Sequence, residues 1–192
     1  MSAQRYFPII VSSPSGGGKS TICREIVKEN EDILYSVSYT TRPPRADEQD
    51  GVDYHFVDKK TFRKMLRRGE FAEWAKVHKH YYGTAKAVIE GALADNKFII
   101  LDIDTKGTKK FLKNMPMVFT IFMFPPSMQE LEHRLRMRNT DDEKVIQLRL
   151  KNARKEIADS WLYDIFVIND DVKSTTKKIV YEIRKRSIGN DK

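Results

Sequence analysis

The stretch Phe7-Pro8-Ile9-Ile10-Val11-Ser12-Ser13-Pro14-Ser15-Gly16-Gly17-Gly18-Lys19-Ser20-Thr21 decides the reading of the whole chain. Phe7 to Ser12 is a short apolar run rich in β-branched residues, which predicts a strand buried on both faces. A turn follows, and from about Lys19 the spacing of Ile22 and Ile26, with Val27 beside them, predicts a helix. Strand, glycine turn and helix make one unit of an α/β sheet. The glycines let successive N–H groups converge on one point, and the helix N-terminus adds partial positive charge there. The expectation is a phosphate cradle for a nucleoside triphosphate, formed by Ser13, Pro14, Ser15, Gly16, Gly17, Gly18, Lys19, Ser20 and Thr21. Lys19 would reach the β- and γ-phosphates, and the Ser20 hydroxyl would ligate Mg²⁺. The full pattern G-x-x-x-x-G-K-[ST] has Gly where Ser13 stands. Binding depends mainly on Gly16, Gly18, Lys19 and Ser20, so Ser13 reads as a tolerated variant.

Working outward, Phe98 to Ile103 and Val118 to Phe124 are two more buried-strand candidates, and a shorter one runs from Ile165 to Ile168. Helical segments separate them, as a parallel sheet requires. Ser36 to Thr84 is different: polar and aromatic, with Pro43-Pro44 and Asp50-Gly51 turn signals. Its one clear helix, Asp58 to Arg68, stops at Gly69 and buries Phe62, Met65 and Leu66. An inserted mixed subdomain is the simplest account. Ser127-x-x-Glu130 is a capping-box pattern ahead of Leu131 and Leu135. A second helix is expected from Asp141 to Ser160, with Ile146, Leu150, Ala153 and Ile157 on one face. Between the two lies Arg134-x-Arg136-x-Arg138-Asn139-Thr140, and the whole reads as a movable flap. A last helix, about Ser174 to Arg186, turns Ile179, Val180 and Ile183 inward.

Composition narrows the classes. The 192 residues carry 35 basic and 27 acidic side chains, a net charge of +8, with one cysteine. The length suits one domain with its own core. Cys23 alone cannot form an internal disulfide or a multi-cysteine metal site and reads as buried packing. No apolar targeting or membrane-spanning segment is present in the sequence, so a reducing cytoplasm is the expected compartment. The positive charge predicts an anionic partner without choosing among nucleic acid, acidic lipid and small phosphates.

The choice comes from Ser36-Val37-Ser38-Tyr39-Thr40-Thr41-Arg42-Pro43-Pro44-Arg45. The prolines hold the segment extended, and the two guanidinium groups suit one phosphate gripped in fork geometry. Gly51-x-Asp53-Tyr54-x-Phe56, Glu70-Phe71-x-Glu73-Trp74-Ala75, Tyr81-Tyr82-Gly83-Thr84, Leu101-Asp102-Ile103-Asp104 and Val167-Ile168-Asn169-Asp170-Asp171 follow in order. With the phosphate loop, this succession resembles guanylate kinase (ATP:GMP phosphotransferase) from about Ile9 to Asp171.

The resemblance implies an α/β P-loop nucleoside monophosphate kinase: a three-layer parallel-sheet core, an inserted mixed α+β GMP-binding subdomain and a helical lid. The core would be 1–36, 86–126 and 161–192, the GMP part 37–85 and the lid 127–160. The phosphate loop would then bind ATP. Arg42, Arg45, Tyr54 and Tyr82 would hold the GMP phosphate; Ser38, Glu73, Thr84 and Asp104 would read the guanine. The family commonly has serine where Thr84 stands, and the hydroxyl is kept. Asp102, at the end of its strand, would help place Mg²⁺ through water, and Asn169 would lie near the adenine. Arg134, Arg138 and Arg149 would be lid arginines that join Lys19 and Arg42 on the transferring phosphates. The family often has Gly where Asn139 stands, and Arg136 has no match. Trp74 reads as core, and His78 and His80 as exposed loop histidines.

Chemistry supports this independently. Guanine presents N1–H and a 2-amino group as adjacent donors and O6 as an acceptor, which match a Glu73 carboxylate and a Ser38 hydroxyl. Adenine would turn a lone pair toward that carboxylate. A phosphate acceptor, whose second pKa is about 6, needs no general base. Small-molecule partners, ATP and GMP, are therefore expected, with neither nucleic acid nor membrane. Rival readings are a noncatalytic guanylate-kinase-like scaffold domain, a nucleic-acid binder and a kinase for another monophosphate. The intact Lys19-Ser20 pair, the absence of a basic stripe interleaved with aromatics, and the Ser38/Glu73 pairing disfavour them in turn.

Overall fold

The computed structural model describes residues 4–46, 48–77, 79–137 and 142–188. In chain order its elements are β1 (Pro8–Ser12), α1 (Lys19–Glu29), β2 (Ile33–Tyr35), β3 (Tyr39–Thr40), β4 (His55–Phe56), α2 (Lys59–Arg67), β5 (Phe71–Val77), β6 (His80–Ala85), α3 (Lys86–Ala94), β7 (Phe98–Leu101), α4 (Thr105–Asn114), β8 (Phe119–Phe124), α5 (Met128–Met137), α6 (Glu143–Ala158), β9 (Ile165–Ile168) and α7 (Val172–Ser187). A single 3₁₀ turn, Ser160–Leu162, leads into β9.

Five strands form a parallel sheet in the order β2-β7-β1-β8-β9. Alternate side chains of β1 enter opposite cores, as the pleat dictates. Ile9 and Val11 pack with Ile22, Cys23 and Ile26 of α1 and Ile179 and Ile183 of α7. Ile10 packs on the other face with Ile89 of α3, Phe111 of α4 and Tyr163. All of these aliphatic residues and Phe111 are fully buried, each worth about 1.5–3 kcal/mol. The three-layer α/β core expected from the sequence is thus present.

A second sheet, mixed and four-stranded, runs β4-β3-β6-β5. Phe71 and Phe62 stack at 4.5 Å, and Tyr81 stacks on Phe62 at 5.5 Å, so aromatic rings seat α2 on this sheet. Asp58 caps α2 by accepting the Thr61 N–H, and Gly69 at φ 69° ends it. The strongest link back to the core is the contact between α4 and β5. Helices α5 and α6 pack on each other through Leu131, Leu135, Ile146, Leu150 and Ala153.

Several expectations are corrected. Strand β7 stops at Leu101, so Asp102 and Ile103 lie in the loop beyond it. Strand β9 lies at the sheet edge, and only one of its faces is covered: Val167 is buried in the core, while Phe166 and Ile168 on the opposite face are exposed. On α2 only Phe62 is fully buried; Met65 and Leu66 are half-buried. Trp74 is half-buried rather than core, with the Lys110 ammonium 4.6 Å from its ring. His80 belongs to β6 and is half-buried, its Nδ1 3.2 Å from the Thr41 carbonyl. His78 lies outside the described residues. At α5 only half of the capping box forms. Ser127 Oγ accepts the Glu130 N–H, but the Glu130 carboxylate turns to Arg134. Helix α6 starts at Glu143, capped by Asp142.

Candidate functional site

The loop after β1 sits at the carboxyl ends of the strands, between the neighbours β7 and β8, where open α/β sheets place ligands. Gly16 and Gly18 have φ of 91° and 85°, conformations that side chains oppose. Lys19 folds back so that Nζ donates to the Ser13 carbonyl at 2.9 Å. Ser13 is buried, and its hydroxyl donates to the Pro14 carbonyl at 3.1 Å. A Cβ on Gly17 would lie 2.5 Å from Ser13 Oγ. The middle glycine of the three therefore makes room for the serine that departs from the usual pattern.

Asn169, just beyond β9, ties this loop to the sheet. Its Nδ2 donates to the Gly17 carbonyl at 2.8 Å, and its own N–H donates to the Phe124 carbonyl at 2.8 Å. A Cβ on Gly18 would lie 2.8 Å from that amide nitrogen. Asn169 is thus a buttress of the phosphate loop, a contact with no local signature in the sequence.

At the start of α1, Ser20 Oγ donates to Asp102 Oδ2 at 2.6 Å. Burial raises the Asp102 pKa, while the Ser20 hydroxyl, the Lys19 charge and the Tyr35 hydroxyl oppose the rise. Two hard oxygen donors beside a phosphate cradle fit a divalent cation that keeps most of its water, the habit of Mg²⁺.

On the far side of Lys19 opens a cavity of about 260 Å³. Lys19, Ser38, Tyr54, Glu73, Ala75, Tyr82, Asp102, Ile103, Asp104 and Gly107 line it. The structure thus brings Ser38, Tyr54, Glu73, Tyr82 and Asp104 together, although they come from separate elements. Thr84, opposite Glu73 across the β5–β6 ladder, is fully buried and donates from Oγ1 to Glu73 Oε1 at 3.0 Å. Burial pushes the Glu73 carboxyl up to about 7; the Thr84 hydroxyl lowers it and the Asp104 charge raises it further. Asp104 caps α4, its Oδ1 accepting the Gly107 N–H at 2.7 Å. Tyr54 and Tyr82 meet edge to face at 5.9 Å. Burial, and then the Asp102 charge, push the Tyr54 hydroxyl up to about 12, so it stays a donor at neutral pH.

Arg42 does not point freely into this cavity. Its guanidinium donates to Glu48 Oε1 at 2.7 Å and to the Pro43 carbonyl at 2.8 Å. Glu48 Oε2 accepts the Arg45 N–H at 2.8 Å, while the Arg45 side chain is 67% exposed, too open to be held in place. The pair of arginines therefore shares one carboxylate, which holds Arg42 and leaves Arg45 loose. Glu48 was missed in the sequence. Its signal was the three-residue spacing Arg42, Arg45, Glu48, which places one acid among two bases.

Of the arginines expected to form a lid, Arg134 donates to Glu130 Oε1 at 2.8 Å and to the Asn169 carbonyl at 3.2 Å, which brings it to the side of the glycine loop. Arg149 is half-buried on α6. Arg138, with Asn139 and Thr140, lies outside the described residues. Arg136 pairs with Glu132 at 2.7 Å and with Glu143 at 2.6 Å, clamping α5 to α6. Solvent screens such exposed pairs, so they add little to stability.

Among the described residues no helix is long and apolar enough to cross a membrane. The family model described as guanylate kinase matches residues 5–186. The chain is similar to guanylate kinase of Syntrophotalea carbinolica, 48% identical over 163 residues that cover 85% of this chain and 78% of that one. Guanylate kinase of Carboxydothermus hydrogenoformans is 45% identical over 171 residues, 89% of this chain and 84% of the other. The crystal structure of guanylate kinase from Anaplasma phagocytophilum superposes with a TM-score of 0.82 at 32% identity, covering 99% of this chain and 90% of that chain. The glycine-loop geometry, the cavity beside Lys19 and these likenesses agree, and the chain belongs to the guanylate kinase family.

Proposed function

We infer that this protein transfers the γ-phosphoryl group of ATP to GMP, and to dGMP, giving ADP and the diphosphate, as a step of purine nucleotide metabolism. The observation that carries the reading is Glu73, a buried carboxylate lining a cavity that also opens onto Lys19. Guanine has two adjacent donors for it and adenine has none in that position.

The residues divide the work. Ser38, Glu73, Thr84 and Asp104 read the guanine. Arg42, Arg45, Tyr54 and Tyr82 hold the acceptor phosphate, which is largely dianionic at neutral pH and needs no base. The loop from Ser13 to Thr21 holds the donor phosphates, with Asn169 fixing the loop near the adenine side. Lys19, Arg42, Arg134, Arg138 and Arg149 would supply positive charge to the transferring group. Their task is to bring two mutually repelling anions into line and to offset charge in the transition state. Ser20, and Asp102 through water, would hold Mg²⁺, which when bound neutralises charge on the donor phosphates.

In this reading 37–85 is the acceptor-binding part, 127–160 the lid, and 1–36, 86–126 and 161–192 the core. Lid closure would exclude water and prevent wasteful ATP hydrolysis. The test is direct: incubate the protein with GMP and ATP labelled in the γ-phosphate. Label in GDP is the expected result; label released only as inorganic phosphate would defeat the reading.

A further inference from the structure

The outer turn of the phosphate loop is held by both lid helices. A Cβ on Gly16 would lie 2.8 Å from Leu135 Cδ2 and 3.3 Å from Leu131 Cδ1, so α5 rests directly on the loop. From α6, Glu156 Oε2 accepts the Ser15 N–H at 3.2 Å. Glu156 is half-buried, and its surroundings include Lys19, Lys106 and Asp104. Burial is the largest influence on its carboxyl and raises its pKa, and the two lysines oppose that rise. The Glu156 side chain thus sits against the phosphate loop, on a helix outside the nucleotide-binding unit, and the roles assigned above do not use it.

Its place on α6 gives it a task. Arg149 lies seven residues upstream, close to two helical turns, so the two side chains share a face about 10 Å apart along the axis. Fixing Glu156 to the loop fixes where Arg149 stands relative to the donor phosphates. We propose that Glu156 is a positioning residue for phosphoryl transfer: by accepting the Ser15 N–H it holds α6, and with it Arg149, in register with the phosphate loop. This rests on the phosphotransferase reading above. A donor loop that shifts then carries the lid with it, and a misplacement of about 1 Å at Arg149 is enough to slow transfer by as much as a hundredfold.

The test combines steady-state kinetics with amide hydrogen exchange of nucleotide-free protein, in Glu156→Ala and Glu156→Gln. Glu156→Ala should speed exchange at the Ser15 amide and lower kcat about tenfold, with the KM for GMP within about twofold of wild type. Glu156→Gln keeps an acceptor oxygen and should recover most of that loss. Unchanged Ser15 exchange with unchanged kcat in Glu156→Ala would overturn the proposal. So would faster turnover with tighter ATP binding, since the carboxylate would then only compete with nucleotide phosphate. Wild-type protein inactive on GMP would instead defeat the substrate reading, while the exchange result would still decide whether Glu156 restrains the loop.

Discussion

The Thr84 hydroxyl donates to Glu73 Oε1 at 3.0 Å, and this bond fixes a carboxylate that is only 5% exposed. Its second oxygen faces Gly107, where a Cβ would come within 3.3 Å, so the glycine keeps that side open. Glu73→Gln replaces one acceptor with an amide donor that opposes guanine N1–H or its amino group. The expected loss in kcat/KM for GMP is about a hundredfold or more, with the KM for ATP within about twofold. Initial-rate kinetics varying each substrate in turn checks this; equal losses for both substrates would remove Glu73 from guanine reading.

The same carboxylate predicts a pH dependence of stability. Its pKa rises from 4.5 to about 7 on folding, chiefly through burial. The folded state therefore favours the protonated form, and that stabilisation is complete below pH 4.5 and lost as pH rises through 7. That stabilisation is on the order of 3 kcal/mol. Glu73→Gln, which cannot ionise, should gain stability over wild type between pH 5 and pH 8. Urea unfolding at the two pH values measures it, and a difference independent of pH would contradict the burial argument.

Glu48 holds the Arg42 guanidinium at 2.7 Å with both side chains mostly covered, 16% and 12% exposed. The ion pair also raises the Arg42 pKa and lowers that of Glu48, each mainly through their mutual hydrogen bond. Glu48→Gln weakens this support, and Arg42 and the Arg45 backbone lose their common anchor. With Arg42 on the acceptor phosphate, as proposed, the KM for GMP should rise about tenfold with a smaller change in kcat. Kinetics at saturating ATP reads this split, and a loss confined to kcat would argue against it.

Gly17→Ala would drive a Cβ to 2.5 Å from Ser13 Oγ and 2.9 Å from the Pro14 carbonyl. Overpacking of this kind costs about 1–3 kcal/mol. Restoring the usual glycine with Ser13→Gly removes the nearer clash, so the double variant should recover part of the stability. Thermal melts of the four proteins complete the cycle; additive losses would show that residues 13 and 17 do not interact.

Legibility followed the physics of each signal. The strand at β1, the glycine loop and α1 were readable because periodicity and positive-φ glycines are local properties. The sheet of β3 to β6 was readable only as a polar, aromatic region. Strands of two residues such as Tyr39–Thr40 and His55–Phe56 carry too little alternation to detect. Ser38, Glu73 and Asp104 meet because β3 and β5 both pair with β6 and α4 packs on β5, which residue spacing cannot express. Trp74 misled because size suggests burial, whereas its ring lies under the Lys110 ammonium. The positive charge was legible as a sum but not as a pattern. Arg184 is taken up by Asp32, and Arg24 by Asp53, across elements that are distant in sequence.

Selection of guanine by this cavity is read out by a coupled ADP-release assay with ATP and each of GMP, dGMP, AMP, CMP and UMP. Turnover with GMP and dGMP, and kcat/KM for AMP, CMP and UMP lower by about a thousandfold or more, is the predicted result. Comparable turnover of AMP, or none with GMP, would contradict it.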